Sequence, residues 1–371
     1  MRRRGLTVVL GAVLTLLLGL WIGQADVPYV TLSPGPTVDT LGAVDRDADP
    51  CKVTSPAPAP EPTPSGSASP SPRPEPACQE VIQIIGTALP APGKGQLRMV
   101  TVSVISSVSL LDALKGWISG ENAVVPRKLI YPEDKTEQEV EQENKQEFEN
   151  SQTSAETAAL KYLGYPVQVT VTQVTSDGAS VGKLQEGDVI DSVNGTQVTS
   201  MAKLLELVQA QPAGSTLKIG YTRGSEKGTV DVVTKPATDG TPRIGVSIKS
   251  VQPHPFDLRI KLDKIGGPSA GMMFALAIID KLKPEDMTHG KIIAGTGTID
   301  DEGNVGQIGG ITQKLYGARA AGTTHFLVPA DNCAEALTNV PSGLTLVKVA
   351  TLDEATAALD ALGSGGPLPS C

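Results

Sequence analysis

Residues Met272 to Ile279 form an unbroken apolar run, entered through the turn Gly266-Gly267-Pro268-Ser269-Ala270-Gly271. A helix that is apolar on every side has no face to offer water, so it belongs inside a domain. Ser269 therefore stands at the mouth of a buried helix. Glycine lets the backbone approach a ligand closely, and a helix start supplies unpaired N–H groups and positive dipole potential where an oxyanion could form. Ser269 is a candidate nucleophile, with the backbone of Gly267, Ser269 and Ala270 as the candidate oxyanion site.

A nucleophilic serine needs a base. The chain has three histidines: His254 sits between prolines, and His289 and His325 fall in polar connections, so none has the context of a base. Lys314 is better placed. Helical spacing puts Ile311, Lys314, Leu315, Ala318 and Ala321 on one stripe, and Gly322 ends the helix. Burial disfavours the ammonium form. Moving a lysine from about 10.4 into the range of roughly 7 to 8 that suits a general base takes about three units, or about 4 kcal/mol. The stripe alone leaves open a lysine that snorkels its head to water.

The 371 residues leave room for two or three domains, and a formal charge of −9 argues against nucleic acid as a partner. Arg2, Arg3 and Arg4 precede a charge-free, leucine-rich stretch from Gly5 to Gly23. Roughly 17 to 25 residues span a bilayer, and leading arginines favour a cytoplasmic N-terminus. Residues 1–25 are thus expected to be a single-pass anchor in the cell membrane, with the remainder extracytoplasmic. A cleaved signal peptide is the rival reading. Cys51 and Cys78 bracket a Pro/Ser/Ala-rich tract; Cys333 and Cys371 could tie down the tail. Four cysteines allow three pairings, and their spacing suggests no metal site. The run Asp300-Asp301-Glu302-Gly303-Asn304 lacks the ligand spacing of a calcium loop and reads as a turn. Val81–Ile85 and Leu97–Val104 read as strands without visible chemistry, and 137–163 as one or two solvated helices.

Gly267-Pro268-Ser269-Ala270-Gly271, the following apolar helix, Gly295-Thr296-Gly297-Thr298-Ile299, and Gly309-Gly310-Ile311 with Lys314 beyond it resemble, in that order, the proteolytic domain of Lon proteases. The resemblance implies a Ser269–Lys314 dyad, with Thr296 orienting the amine, and a homo-oligomer. It departs from many ATP-dependent members in having glycines where an acidic residue precedes Gly-Pro-Ser. No Gly-x-x-x-x-Gly-Lys-[Ser/Thr] occurs in the chain. Upstream, Gly187-Asp188-Val189-Ile190 leading to Asn194-Gly195 resembles a PDZ segment. Leu163-Gly164-Tyr165 looks like the PDZ loop that holds a peptide carboxylate. An extended chain would then add beside the strand of Val167, Val169 and Val171, against a helix capped by Thr199 or Ser200.

The expected fold is α+β and multi-domain. It comprises an anchor (1–25), a strand/helix region (26–160) with a Pro-rich insertion (50–78), a PDZ-like β-rich domain (161–236), an α/β Lon-type domain (240–363) and a tail (364–371). Two functions stay open. One is an ATP-independent serine endopeptidase without cofactor or metal, acting on exported or membrane-associated polypeptides that the PDZ unit recruits or gates. The other is a non-catalytic PDZ adaptor of the cell envelope.

Overall fold

A computed structural model describes residues 25–44, 78–262 and 265–371, with Val13 alone ahead of them. Two compact units result. Leu160–Phe256 forms one, and the described residues before Leu160 join Asp257–Cys371 in the other. The sequence reading sets 26–160 apart from 240–363, and the structure corrects it, because one sheet draws on both.

That sheet has six strands in the order Thr345–Val349, His325–Pro329, Ile292–Gly295, Gln96–Ile105, Tyr29–Asp39 and Ala123–Pro126. The first four run parallel, and the last two add antiparallel. Gln96–Ile105 is the joint. On one side it pairs with Ile292–Gly295 only as far as Met99, and on the other with Tyr29–Asp39 up to Ile105. Its β-branched composition marks a strand, but the partner lies nearly two hundred residues away, and no local pattern names it.

Strand residues alternate between faces, which assigns the helices. Ala294, Phe326 and Val328 pack with Ile311, Leu315 and Ala318 of the helix Ile311–Ala320. Gly295 points the other way: a Cβ there would sit 2.7 Å from the Met273 sulfur, so the helix Gly271–Leu282 covers the opposite face. Every side chain from Met272 to Ile279 is fully enclosed. The segment 137–163 is a single helix, Glu137–Tyr162. Its first half is mostly exposed, as the charge run implies, but Phe148, Ser151, Ala155 and Ala158 form a buried stripe, with Phe148 edge-on to Phe274 at 5.7 Å.

The Leu160–Phe256 unit is an antiparallel sheet ordered Glu226–Val233, Thr216–Arg223, Val189–Val193, Gln168–Val174 and Val246–Val251. The helix Met201–Gln209 packs on it, capped by Ser200, whose Oγ accepts the Lys203 N–H at 3.1 Å. Asp188 is fully buried and bridged by Arg223 at 2.7 and 2.8 Å, which locks the Gly187-Asp188 turn.

Cys333 and Cys371 are disulfide-bonded, and the tail lies along the Thr345–Val349 edge, Lys348 N–H donating to Pro369 O at 2.9 Å. Cys78 is also disulfide-bonded. Cys51, the Pro-rich tract and the expected anchor over 1–25, apart from Val13 and Ala25, lie outside the described residues. Among the described residues no helix is long and apolar enough to cross a membrane. Because the Cys333–Cys371 bond closes a separation of 38 residues, replacing Cys371 by Ser is expected to cost up to ~4 kcal/mol, read as a lower urea midpoint.

Candidate active site

Two helices on opposite faces of one sheet deliver the site. Ser269 ends the turn before Gly271–Leu282, and Lys314 lies one turn into Ile311–Ala320. Lys314 Nζ stands 2.7 Å from Ser269 Oγ and donates to Thr296 Oγ1 at 3.0 Å. Thr296 follows the strand Ile292–Gly295, and its hydroxyl donates to Ser269 O at 3.0 Å. A hydroxyl has one proton. With that proton committed to the Ser269 carbonyl, Thr296 Oγ1 can only accept from the amine. One amine hydrogen is thereby held, and the nitrogen lone pair of a neutral lysine is left for the Ser269 hydroxyl.

Lys314 and Thr296 are both buried. Among the described residues no carboxylate pairs with the ammonium, so desolvation alone pushes the Lys314 pKa from its ordinary 10.5 down to about 7. The snorkelling alternative is thus not the one the fold adopts. At neutral pH a substantial fraction of the amine is unprotonated and in contact with the hydroxyl it could deprotonate.

Ser269 sits between two clefts. One, of about 480 Å³, runs past Pro36, Met99 to Ser103 and Ile265 to Ala270, with Gly309 and Lys314. The other, of about 490 Å³, opens toward Thr298, Gln307, Asp331 and Glu335. None of the three histidines lines either cleft. Along the first cleft, the stretch from Val100 to Ile105 has no strand partner on the side that Ile292–Gly295 has left, among the described residues.

The oxyanion expectation needs one correction. Gly267, left-handed at φ +83°, donates its N–H to Asn144 O at 2.8 Å, so this donor is spent inside the protein. Pro268 has no N–H. Among the described residues no carbonyl takes the N–H of Ser269 or Ala270, and these two remain as donors.

The long helix is the part of the site that sequence reasoning missed. Ser151 Oγ donates to Pro268 O at 2.9 Å, and a Cβ on Gly271 would lie 2.8 Å from that same Oγ. Asn144 contributes a backbone carbonyl, which no side-chain pattern could reveal. Ser151 was findable in principle as the polar member of the stripe Phe148, Ser151, Ala155. Among the described residues no His/Cys/Asp/Glu group could hold a metal ion. Asp300 instead turns back on its own loop, accepting from Glu302, Asn304 N–H and the Asn304 amide.

Residues 263–360 match the Lon protease (S16) C-terminal proteolytic domain, and residues 138–234 match a PDZ domain. The chain carries a Lon-type proteolytic domain and a PDZ domain. Over 95 residues it is 43% identical to Lon protease 1 of Sorangium cellulosum, which is 24% of this chain and 11% of that protein. Over 183 residues it is 28% identical to Lon protease 2 of Bacillus subtilis, 48% of this chain and 30% of that protein. The chain thus spans less than a third of either relative. The PDZ domain of the SdrC-like protein from Listeria monocytogenes aligns at 27% identity and a TM-score of 0.21, over 22% of this chain and 85% of that structure.

The PDZ domain differs from the sequence expectation at its groove. Leu163, Gly164 and Tyr165 do not form a free carboxylate loop. They end the helix Glu137–Tyr162: Gly164 is left-handed at φ +88° and donates to Lys161 O at 3.0 Å, and Tyr165 donates to Leu160 O at 2.8 Å. Two of the three N–H groups in that loop are therefore used by the cap. The strand-addition edge is taken too. Val246–Val251 pairs antiparallel with Gln168–Val174 and contacts the helix Met201–Gln209, with Val246 and Ile248 packed on the domain core. This is the position in which an added peptide strand would lie. The alternation of Val167, Val169 and Val171 identifies the receptive strand without revealing that the chain supplies its own occupant.

Two outcomes follow. The folded chain keeps Lys314 neutral above about 7, whereas the unfolded chain stays protonated to about 10.5. In that window the unfolded state binds more protons, so this group makes stability rise with pH, by on the order of 5 kcal/mol in all. Lys314→Met is expected to be more stable than the parent at neutral pH and to flatten the alkaline rise, read from urea midpoints across pH. Second, amides of Val246–Val251 should be protected in hydrogen exchange. A peptide with a free apolar C-terminus should bind the PDZ domain by titration calorimetry only after Val246 and Ile248 are replaced by Asp.

Proposed function

We propose that this chain is a serine endopeptidase that works without ATP, with Ser269 as nucleophile and Lys314 as its base. The observation that carries the reading is the 2.7 Å approach of a buried lysine amine, with its pKa drawn down to about 7, to a serine hydroxyl at a helix mouth. As Ser269 Oγ attacks a peptide carbonyl carbon, its proton passes to Lys314 Nζ. The carbonyl oxygen takes up negative charge, and the Ser269 and Ala270 N–H groups stabilise it. The C–N bond then breaks as the lysine ammonium returns the proton to the leaving amine. Water, deprotonated by the same amine, hydrolyses the acyl-enzyme and frees Ser269. Thr296 keeps the amine aimed throughout.

Clefts on both sides of Ser269 suit a chain that continues past the bond in either direction, as an endopeptidase substrate does. The unpaired Val100–Ile105 edge offers backbone groups to an extended segment, so unfolded polypeptide fits better than a folded domain. Read as an anchor with a cytoplasmic N-terminus, the apolar run Gly5–Gly23 supports exported or membrane-associated polypeptides as the substrates. With its groove filled by its own strand, the PDZ domain fits gating better than recruitment.

Cleavage of casein by the detergent-solubilised chain, without nucleotide, tests the reading. Ser269→Ala and Lys314→Ala should each lower kcat/KM by roughly 10^4-fold or more. The rate of the parent should climb with pH as the amine deprotonates near 7. Equal cleavage by all three proteins would refute the dyad.

A further inference from the structure

The helix Leu110–Ile118 carries an apolar surface that the Lon-type unit leaves uncovered. Ala113 and Gly116 turn inward, and a Cβ on Gly116 would meet Val124. At about 100° per residue, Trp117, Leu114, Ile118 and Leu111 fill one outward arc of about 120°, and Asp112 and Lys115 form a charged stripe beside it. The exposure is large: Ile118 is 87% and Trp117 56% accessible. Nearby segments add to the patch, with Leu129 at 67% and Ile105 at 50%.

What covers this surface follows from where the chain enters. Four contacts gather the patch around residues 25–29. Leu110 N–H donates to Ala25 O at 3.1 Å, and Asp26–Val27 pairs with Val108–Ser109. The Trp117 ring stands edge-on to Tyr29 at 5.8 Å, and Arg127 N–H, two residues before Leu129, donates to Pro28 O at 3.0 Å. The charge-free run Gly5–Gly23 ends two residues before Ala25. Whatever takes up that run therefore begins within a few residues of the helix.

We propose that the helix Leu110–Ile118 lies on the bilayer surface beside the anchor, its Leu111, Leu114, Trp117 and Ile118 arc set into the acyl-chain boundary. A short amphipathic helix with a tryptophan on the apolar arc and a charged flank suits the interface plane, where the indole body is buried and its N–H stays near water. Because one helix of nine residues binds a bilayer weakly alone, its tether to the anchor is what holds it there. The seated helix would fix which way the Lon-type unit faces above the membrane, instead of leaving it on a swivel at Asp26. This inference rests on reading residues 1–25 as an anchor.

The test uses the full chain. Trp21→Phe leaves Trp117 as the sole tryptophan. The variant is reconstituted in phosphatidylcholine vesicles whose lipids are brominated either high or low on the acyl chains. Trp117 emission should be quenched more by the shallow bromines, and the quenching should be lost in Leu114→Glu/Ile118→Glu, whose casein cleavage in detergent should match the parent. Unquenched Trp117 in a chain that floats with the vesicles would overturn the proposal and leave the anchor intact. A chain that fails to float removes anchor and proposal together while leaving the peptidase reading untouched. Cross-linking between copies through Leu114→Cys in the bilayer would also overturn it, assigning the patch to a second copy.

Discussion

A lysine amine held out of water is the constraint around which the Lon-type unit is arranged. Without burial, Lys314 would stay an ammonium and could take no proton; with burial, an enclosing wall must be built on every side of it. Ile311–Ala320 carries the lysine on one sheet face, and Gly271–Leu282 carries Ser269 from the other. They meet at the end of Ile292–Gly295, where that strand stops and Thr296 holds both the amine and the Ser269 carbonyl. The parallel order of the sheet brings both loops to one end. The geometry of this cluster is a property of the sheet as much as of the three side chains.

Free strand edges are treated differently at three places. The tail covers Thr345–Val349, and Val246–Val251 covers Gln168–Val174. Both coverings come from the chain itself, and Val246–Val251 becomes the outer strand of its sheet in turn. Among the described residues the stretch Val100–Ile105 is left unpaired on one side, and its residues Val100 to Ser103 line the cleft at Ser269. Of the edges discussed, this is the one that lies beside Ser269.

The helix Glu137–Tyr162 gives the turn at Ser269 its backing. It takes the Gly267 N–H through a backbone carbonyl and anchors Pro268 through Ser151. Its last residues and Gly164 form the cap that uses the loop expected to receive a peptide carboxylate. Helix termination and carboxylate binding compete for the same backbone donors, and in this chain the helix end has them.

Much of the site was legible before any fold. The all-apolar run after Ser269 and the stripe holding Lys314 follow from periodicity, because which residues face inward on a helix depends on local spacing alone. Strand identity, the Ser200 cap and the Asp300 turn are local for the same reason. Tertiary structure decided everything set by pairing across long separations: the sharing of one sheet by 26–160 and 257–371, the loss of Gly267 as an oxyanion donor to Asn144, and the seating of Val246–Val251 in the PDZ groove. Hydrogen bonds to backbone carry no side-chain signature, and a strand records its wish for a partner without recording which one. The sequence by itself therefore determined which side chains are the candidates for the chemistry, and only the fold decided which backbone groups were left free beside them.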